Sequence, residues 1–153
     1  MDISYRIGSI DDLKTVTELS VLMCSGDYCG EHDEDELYTR NKNDLQNPNI
    51  AMFLALDDNK AIGFSHVALK NEECWTESES SPVGHLEAIY VCPDYRKQGI
   101  AENLIVMCEN WSRDKGCIEL ASDCDLDNES SLAFHLKVGF KETHRLIHFS
   151  KSL

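Results

Sequence analysis

Apolar positions along the chain change period several times, and each change marks an element. Residues 2–7 alternate as a strand does, after which Ile10, Leu13, Val16, Leu19, Leu22 and Met23 recur at the spacing that lines one helix face. SGDYCGEHDEDE carries two glycines and a crowd of carboxylates, which predicts a loop; a second helix follows near DELYTRNKNDLQ and closes at Asn47-Pro48. IAMFLAL and AIGFSHVAL are apolar runs of strand length joined by Asp57, Asp58, Asn59 and Lys60, the make-up of a β-hairpin. A polar connection, NEECWTESESSP, leads to a strand over 84–91. The next helix carries Ile100, Leu104, Ile105, Cys108 and Trp111 on one side and stops at Gly116. CIELAS reads as a short strand, DCDLDNES as a polar connection, SSLAFHLKV as a helix stopped by Gly139, and FKETHRLIHFSK as one or two closing strands. The predicted order is βααβββαβαβ, an α/β fold.

Length and composition narrow this picture. The 153 residues suit one domain spanning 1–153, without internal repeats or low-complexity segments. A net charge of -14 disfavours general binding to nucleic acid or anionic membrane and favours a cationic partner, though acidity also serves plain solubility. The start, MDISYR, lacks the basic flank and apolar run of a signal peptide, and no stretch is long and apolar enough to span a bilayer, so a cytoplasmic protein is expected. Seven cysteines without a CxxC pair argue against a disulfide framework and a zinc ribbon; reduced thiols and no metal are expected.

Against that acidity, the turn in LEAIYVCPDYRKQGIA is conspicuous. It places Arg96, Lys97 and Gln98 before Gly99, Ile100 and Ala101, where a helix begins. A helix N-terminus offers backbone N–H groups without intrahelical partners and a partial positive charge, so it binds anions. Gly99 permits close backbone approach, and the small Ala101 leaves room for phosphates. Neither GxxxxGK[ST] nor GxGxxG is present, which excludes a P-loop and a Rossmann fingerprint. Taken alone, the turn also fits a merely solvated basic loop.

The run RKQGIA resembles the [QR]xxGx[GA] pyrophosphate loop of the GNAT superfamily of acetyl-CoA-dependent N-acetyltransferases. Residues 128–140, NESSLAFHLKVGF, resemble its second conserved segment. The resemblance implies a mixed, mostly antiparallel sheet flanked by helices and splayed into a V-shaped acetyl-CoA site between strands 86–91 and 118–122. Backbone groups of Ile89 and Val91 would pair with the pantetheine arm, amides from Lys97 to Ala101 would hold the pyrophosphate, and Asn128 would line the cofactor side. More narrowly, SSPVGHLEAIYVCPDYRKQGIA, GCIELASD and VGFKETHR are similar to the class I aminoglycoside 6'-N-acetyltransferases. That likeness implies an aminoglycoside acceptor, antibiotic resistance and a homodimer; Met23 stands where that group is expected to carry a tryptophan in its acceptor wall.

Acetyl transfer to an amine requires loss of a proton from an ammonium ion, and a carboxylate can both attract the cation and accept that proton. Glu87 on the cofactor strand and Asp123 just beyond the next strand are the candidates, with Glu142 a weaker third; an outward strand residue and a turn former are their plainer readings. His135 stands where many GNAT enzymes carry a tyrosine that protonates the departing sulfur, and it reads equally well as a packing residue. The acids of the loop at 27–36 would steer a polycation or simply be solvated. A polyamine or other small-amine acetyltransferase, or a non-catalytic acyl-CoA-binding module, would share the cofactor loop.

Overall fold

The computed structural model describes residues 2–26, 33–71 and 82–153. Strands β1 (Ile3–Ile7), β2 (Ile50–Asp57), β3 (Lys60–Lys70) and β4 (Val83–Val91) pair antiparallel in that order, and β5 (Leu120–Ser122) joins β4 in parallel at the sheet edge. Among the described residues, four α-helices complete the fold: α1 (Leu13–Cys24), α2 (Glu34–Leu45), α3 (Ile100–Asp114) and α4 (Glu129–Lys137). This is the mixed, mostly antiparallel α/β arrangement expected. No helix among the described residues is long and apolar enough to cross a membrane.

Alternation on the central strands feeds two cores. On one face Phe53, Ile62, Val67, Leu86 and Val91 meet Ile100, Leu104, Ile105 and Cys108 of α3. On the other, Met52, Leu54 and Phe64 meet Val16 and Leu19 of α1. The second helix is pinned to the first by polar atoms: buried Asn41 donates from Nδ2 to Thr17 Oγ1 at 3.3 Å and Ser20 Oγ at 3.2 Å. Both hydroxyls in turn donate to carbonyls one turn earlier, so the triad is satisfied without water. Where β4 begins, Gly84 lets α3 approach; a Cβ there would lie 2.2 Å from Ser112 Oγ.

Three expectations are corrected. The first helix begins at Leu13 rather than Ile10, because Ser9 and Asp12 close a capping box over a 3₁₀ turn. Asp12 also takes both terminal nitrogens of Arg6, at 2.7 and 2.8 Å, and the Arg6 guanidinium first among its partners holds the carboxyl at about 2. The strand expected over 117–122 is only Leu120–Ser122, since Cys117 is bound back to the end of α3 through its N–H to the Ser112 carbonyl. The alternating segment 140–151 forms no strand. Alternation describes which side chains a strand would bury; a ladder also needs an adjacent edge, and this segment has not taken one. The acidic loop and the long polar connection fall largely on residues 27–32 and 72–81, outside the described residues.

Candidate active site

The sheet divides between β4 and β5. Their pairing consists of Gly84↔Leu120, His85↔Ala121 and Leu86↔Ser122, and β4 continues for five residues past that last pair without a partner on that side among the described residues. Opposite β3 the register slips: His66 faces Ala88 whereas Val67 faces Leu86. Glu87 is therefore the extra residue of a β-bulge, a device that bends a strand and re-aims a side chain. Glu87 and Asp123 each stand one residue beyond the last β4–β5 pair, so both flank the point where the strands part.

At the far end of β4 the basic turn has the backbone of an anion cradle. Lys97 (φ 60) and Gly99 (φ 79) are left-handed and Gln98 between them is not, an alternation that lets successive N–H groups converge. Gly99 is the N-cap of α3, without a side-chain cap, so the first amides of the helix remain available. The side chains shape the turn itself: Arg96 Nε donates to the Val91 carbonyl at 2.9 Å with its guanidinium over the Tyr90 ring, and Gln98 Nε2 donates to the Asp94 carbonyl at 3.2 Å. Ile100 is buried in the α3 core, and Ala101 is half-buried beside it.

The acceptor candidates lie in a charged cluster that sequence reading did not anticipate. His85 Nε2 is 3.5 Å from Asp123 Oδ2 and its Nδ1 is 3.3 Å from Glu87 Oε1; Lys70 Nζ reaches the same Glu87 oxygen at 2.7 Å. Nδ1 is buried and has no hydrogen bond of good geometry, so its approach to Glu87 is an ion-pair contact. Asp123 first and Glu87 second raise His85 to about 9, against the cost of burial. In return His85, ahead of Lys70, holds Glu87 at about 2, and His85 lowers Asp123. His85 shares a strand face with Glu87 at a spacing of two, a signal present in the sequence. Lys70 is brought in only by β3–β4 pairing.

His135 is engaged at both nitrogens. Nδ1 lies 2.7 Å from the Ser131 carbonyl, which fixes it as the donor, and Nε2 lies 2.8 Å from Ser122 Oγ. Ser122 is itself 3.3 Å from the Leu86 carbonyl, across the last rung of the β4–β5 pairing. Asn128 caps α4, accepting from the Ser131 N–H at 3.1 Å. Met23 packs half-buried at the end of α1, and Glu142 is paired with Arg145 on the exposed C-terminal segment rather than with the His85 cluster. Asp33 caps α2, with Glu34, Asp35 and Glu36 in its first turn, where carboxylates favour the helix dipole. Burial pushes Cys108 up to about 12 and also raises Cys117, so neither of these two is a ready nucleophile.

Comparison with known proteins supports the family and the fold. The profile of the acetyltransferase (GNAT) family matches residues 16–140. An aminoglycoside N(6')-acetyltransferase type 1 of Acinetobacter genomosp. 13 is 38% identical over 123 residues, 80% of this chain and 84% of that protein. One from Salmonella typhimurium is 37% identical over 120 residues, 78% and 82% of the two chains. The solved structure of AAC(6')-Iy with the bisubstrate analogue CoA-S-monomethyl-acetylneamine superposes over 100% of both chains, with a TM-score of 0.89 and 31% identity. The fold is thus shared with these proteins over almost the whole chain, and the chain belongs to the GNAT acetyltransferase family.

Proposed function

We propose that this chain, acting as one unit over residues 1–153 in the cytoplasm, transfers acetyl from acetyl-CoA to the 6'-amine of aminoglycoside antibiotics and so confers resistance. The observation that carries this reading is the pair Glu87 and Asp123 at the parting of β4 and β5. A polycationic acceptor drawn to them arrives where an acyl-pantetheine arm would lie. The relatives, named for this activity, support the acceptor class.

Acetyl-CoA supplies an activated thioester; the remaining work belongs to the chain. Amides of Lys97 to Ala101, within the turn that Arg96 and Gln98 shape, hold the pyrophosphate, Ile100 anchors the helix behind them, and Asn128 keeps α4 in place. Backbone groups of Ile89 and Val91 align the pantetheine, and the Ile89 N–H polarises the carbonyl. Glu87, Asp123, Met23 and Glu142 form the acceptor side. Glu87, held at about 2, is too weak a base to take a proton and acts as a fixed attraction for the cation. Asp123, with a side chain 87% exposed, is the carboxylate an ammonium can reach; its proton leaves through Asp123 and water. The freed nitrogen attacks the thioester carbon, the C–S bond breaks, and the electron pair departs on sulfur. The departing thiolate takes its proton from water, and His135, held by the Ser131 carbonyl and Ser122 Oγ, packs at the last β4–β5 pair.

The test mixes the protein with acetyl-CoA and kanamycin A, paromomycin or spermidine and follows free thiol. Reacting atoms must meet within a narrow geometry, since misplacement by about 1 Å costs on the order of a hundredfold in rate, so a single product is expected. Kanamycin A should be acetylated at the 6' nitrogen, located by two-dimensional NMR, and paromomycin, with a hydroxyl there, should not react. Acetyl on another nitrogen would overturn the regiochemistry. Turnover of spermidine with none of kanamycin would give the function to a polyamine acetyltransferase.

The functional unit is a homodimer in this reading. Residues 141–153 are exposed throughout and carry Ile147 at 73% and Phe149 at 91% exposure, while β5 is an open sheet edge. Strand addition to a second copy satisfies both. Light scattering should return twice the chain mass, and a chain ending at Arg145 should return the monomer; a monomeric full chain would rule the dimer out.

A further inference from the structure

We infer that His85 is the counter-ion built into the acceptor site: its imidazolium bridges Glu87 and Asp123, and binding of a substrate ammonium to these carboxylates displaces the His85 proton to water. The inference rests on the functional reading above and adds the ion that the substrate must replace.

The geometry is that of a cation between two carboxylates. One ring nitrogen is 3.5 Å from Asp123 and the other 3.3 Å from Glu87, and the His85 side chain is only 12% exposed. So enclosed a ring has little room to swing clear. Every charged group around it bears on the balance. Lys70 from β3 reaches Glu87 at 2.7 Å and also lowers Asp123. His66, also from β3, lies 3.9 Å from Asp44 of α2, and burial, the largest influence on it, lowers its proton affinity despite Asp44 and Glu87 and is reinforced by Arg40. With His66 neutral, Lys70 and His85 are cations in contact with these carboxylates, and while both stay charged they weaken the hold of Glu87 and Asp123 on an amine. Lys70 is a strong base on a half-exposed stem, so His85, raised to about 9, is the cation that can discharge near working pH. Its loss would also return Asp123 toward ordinary basicity, since His85 is the first cause of the lowered value. Charge is conserved: one proton goes from His85 to water as one ammonium enters.

Calorimetry of kanamycin A binding, with saturating coenzyme A and buffers of different ionisation enthalpy, counts that proton. At pH 7 the wild type should release about one more proton than His85→Gln or His85→Phe. The difference should vanish as the pH is raised past the His85 value, because the site is then already discharged. Either variant should bind kanamycin A more tightly at pH 7, by roughly tenfold and at most about a hundredfold, the cost of removing a proton two pH units below its pKa. Equal proton counts in a wild type that releases thiol from acetyl-CoA and kanamycin A would overturn the inference alone. A wild type that neither binds nor acetylates kanamycin A would overturn the functional reading, and this inference with it. The disappearance of proton release at high pH is read on the wild type, so the proposal stays testable if both variants misfold.

Discussion

Ala101→Glu is expected to lower acetyl-CoA affinity by at least about a hundredfold while leaving the thermal midpoint unchanged or slightly higher. The two outcomes have one cause. Ala101 is the second residue of α3, immediately after the left-handed Gly99 cap, where the amides lack intrahelical partners. A carboxylate in the first turn of a helix is stabilising by about 0.3–1 kcal/mol, so the variant should fold. The same field that favours that glutamate is the one proposed to hold a pyrophosphate, and a fixed internal anion fills it, repels the phosphates and takes up their space. Ala101→Gln separates bulk from charge: it should lose affinity less than the glutamate. Isothermal titration with acetyl-CoA and a melting curve check the pair. Unchanged affinity in a folded Ala101→Glu protein would remove the turn from cofactor binding.

Periodicity located the elements whose faces are buried within one chain. Leu104, Ile105 and Cys108 of α3 and the alternating residues of β2 and β3 point where their spacing says, because a core rewards that spacing directly. It failed where a capping box or a missing edge decided the outcome, at Ile10 and at 140–151. The candidate site divides the same way. The turn at 96–101 could be read because its chemistry is local: a glycine, a helix start and nearby cations. Glu87 and Asp123 could be proposed as a pair, but their shared contact with His85 depends on a bulge in β4 and on a strand paired in parallel from far along the chain. Ser122, on which His135 Nε2 rests, was hidden for the same reason.

Asp123→Asn should reduce kcat/KM for kanamycin A by about a hundredfold, within the range general-base and cation-holding groups usually contribute, with acetyl-CoA affinity changed less than about twofold. The substitution keeps shape and removes charge from a side chain that is 87% exposed, so only the His85 pairing is lost and the melting point should fall little. It also removes the first of the two causes that raise His85. The imidazole should then discharge at lower pH, and the pH at which proton release on kanamycin binding vanishes should shift toward acid with it. Glu87→Gln separates attraction from architecture, since Glu87 is half-buried and holds both Lys70 and His85. Its folded value of about 2 lies below the ordinary 4.5, so its contribution to stability is present above 4.5 and is lost as pH falls through 2. Glu87→Gln should therefore lose activity and melting temperature together at neutral pH, whereas the more exposed Asp123→Asn should lose activity with the smaller fall in melting temperature. Steady-state kinetics with kanamycin A across pH, set beside the two melting curves, decides it. If kcat/KM survives in Asp123→Asn, that residue only ends β5, and the acceptor ammonium is held by Glu87 without it.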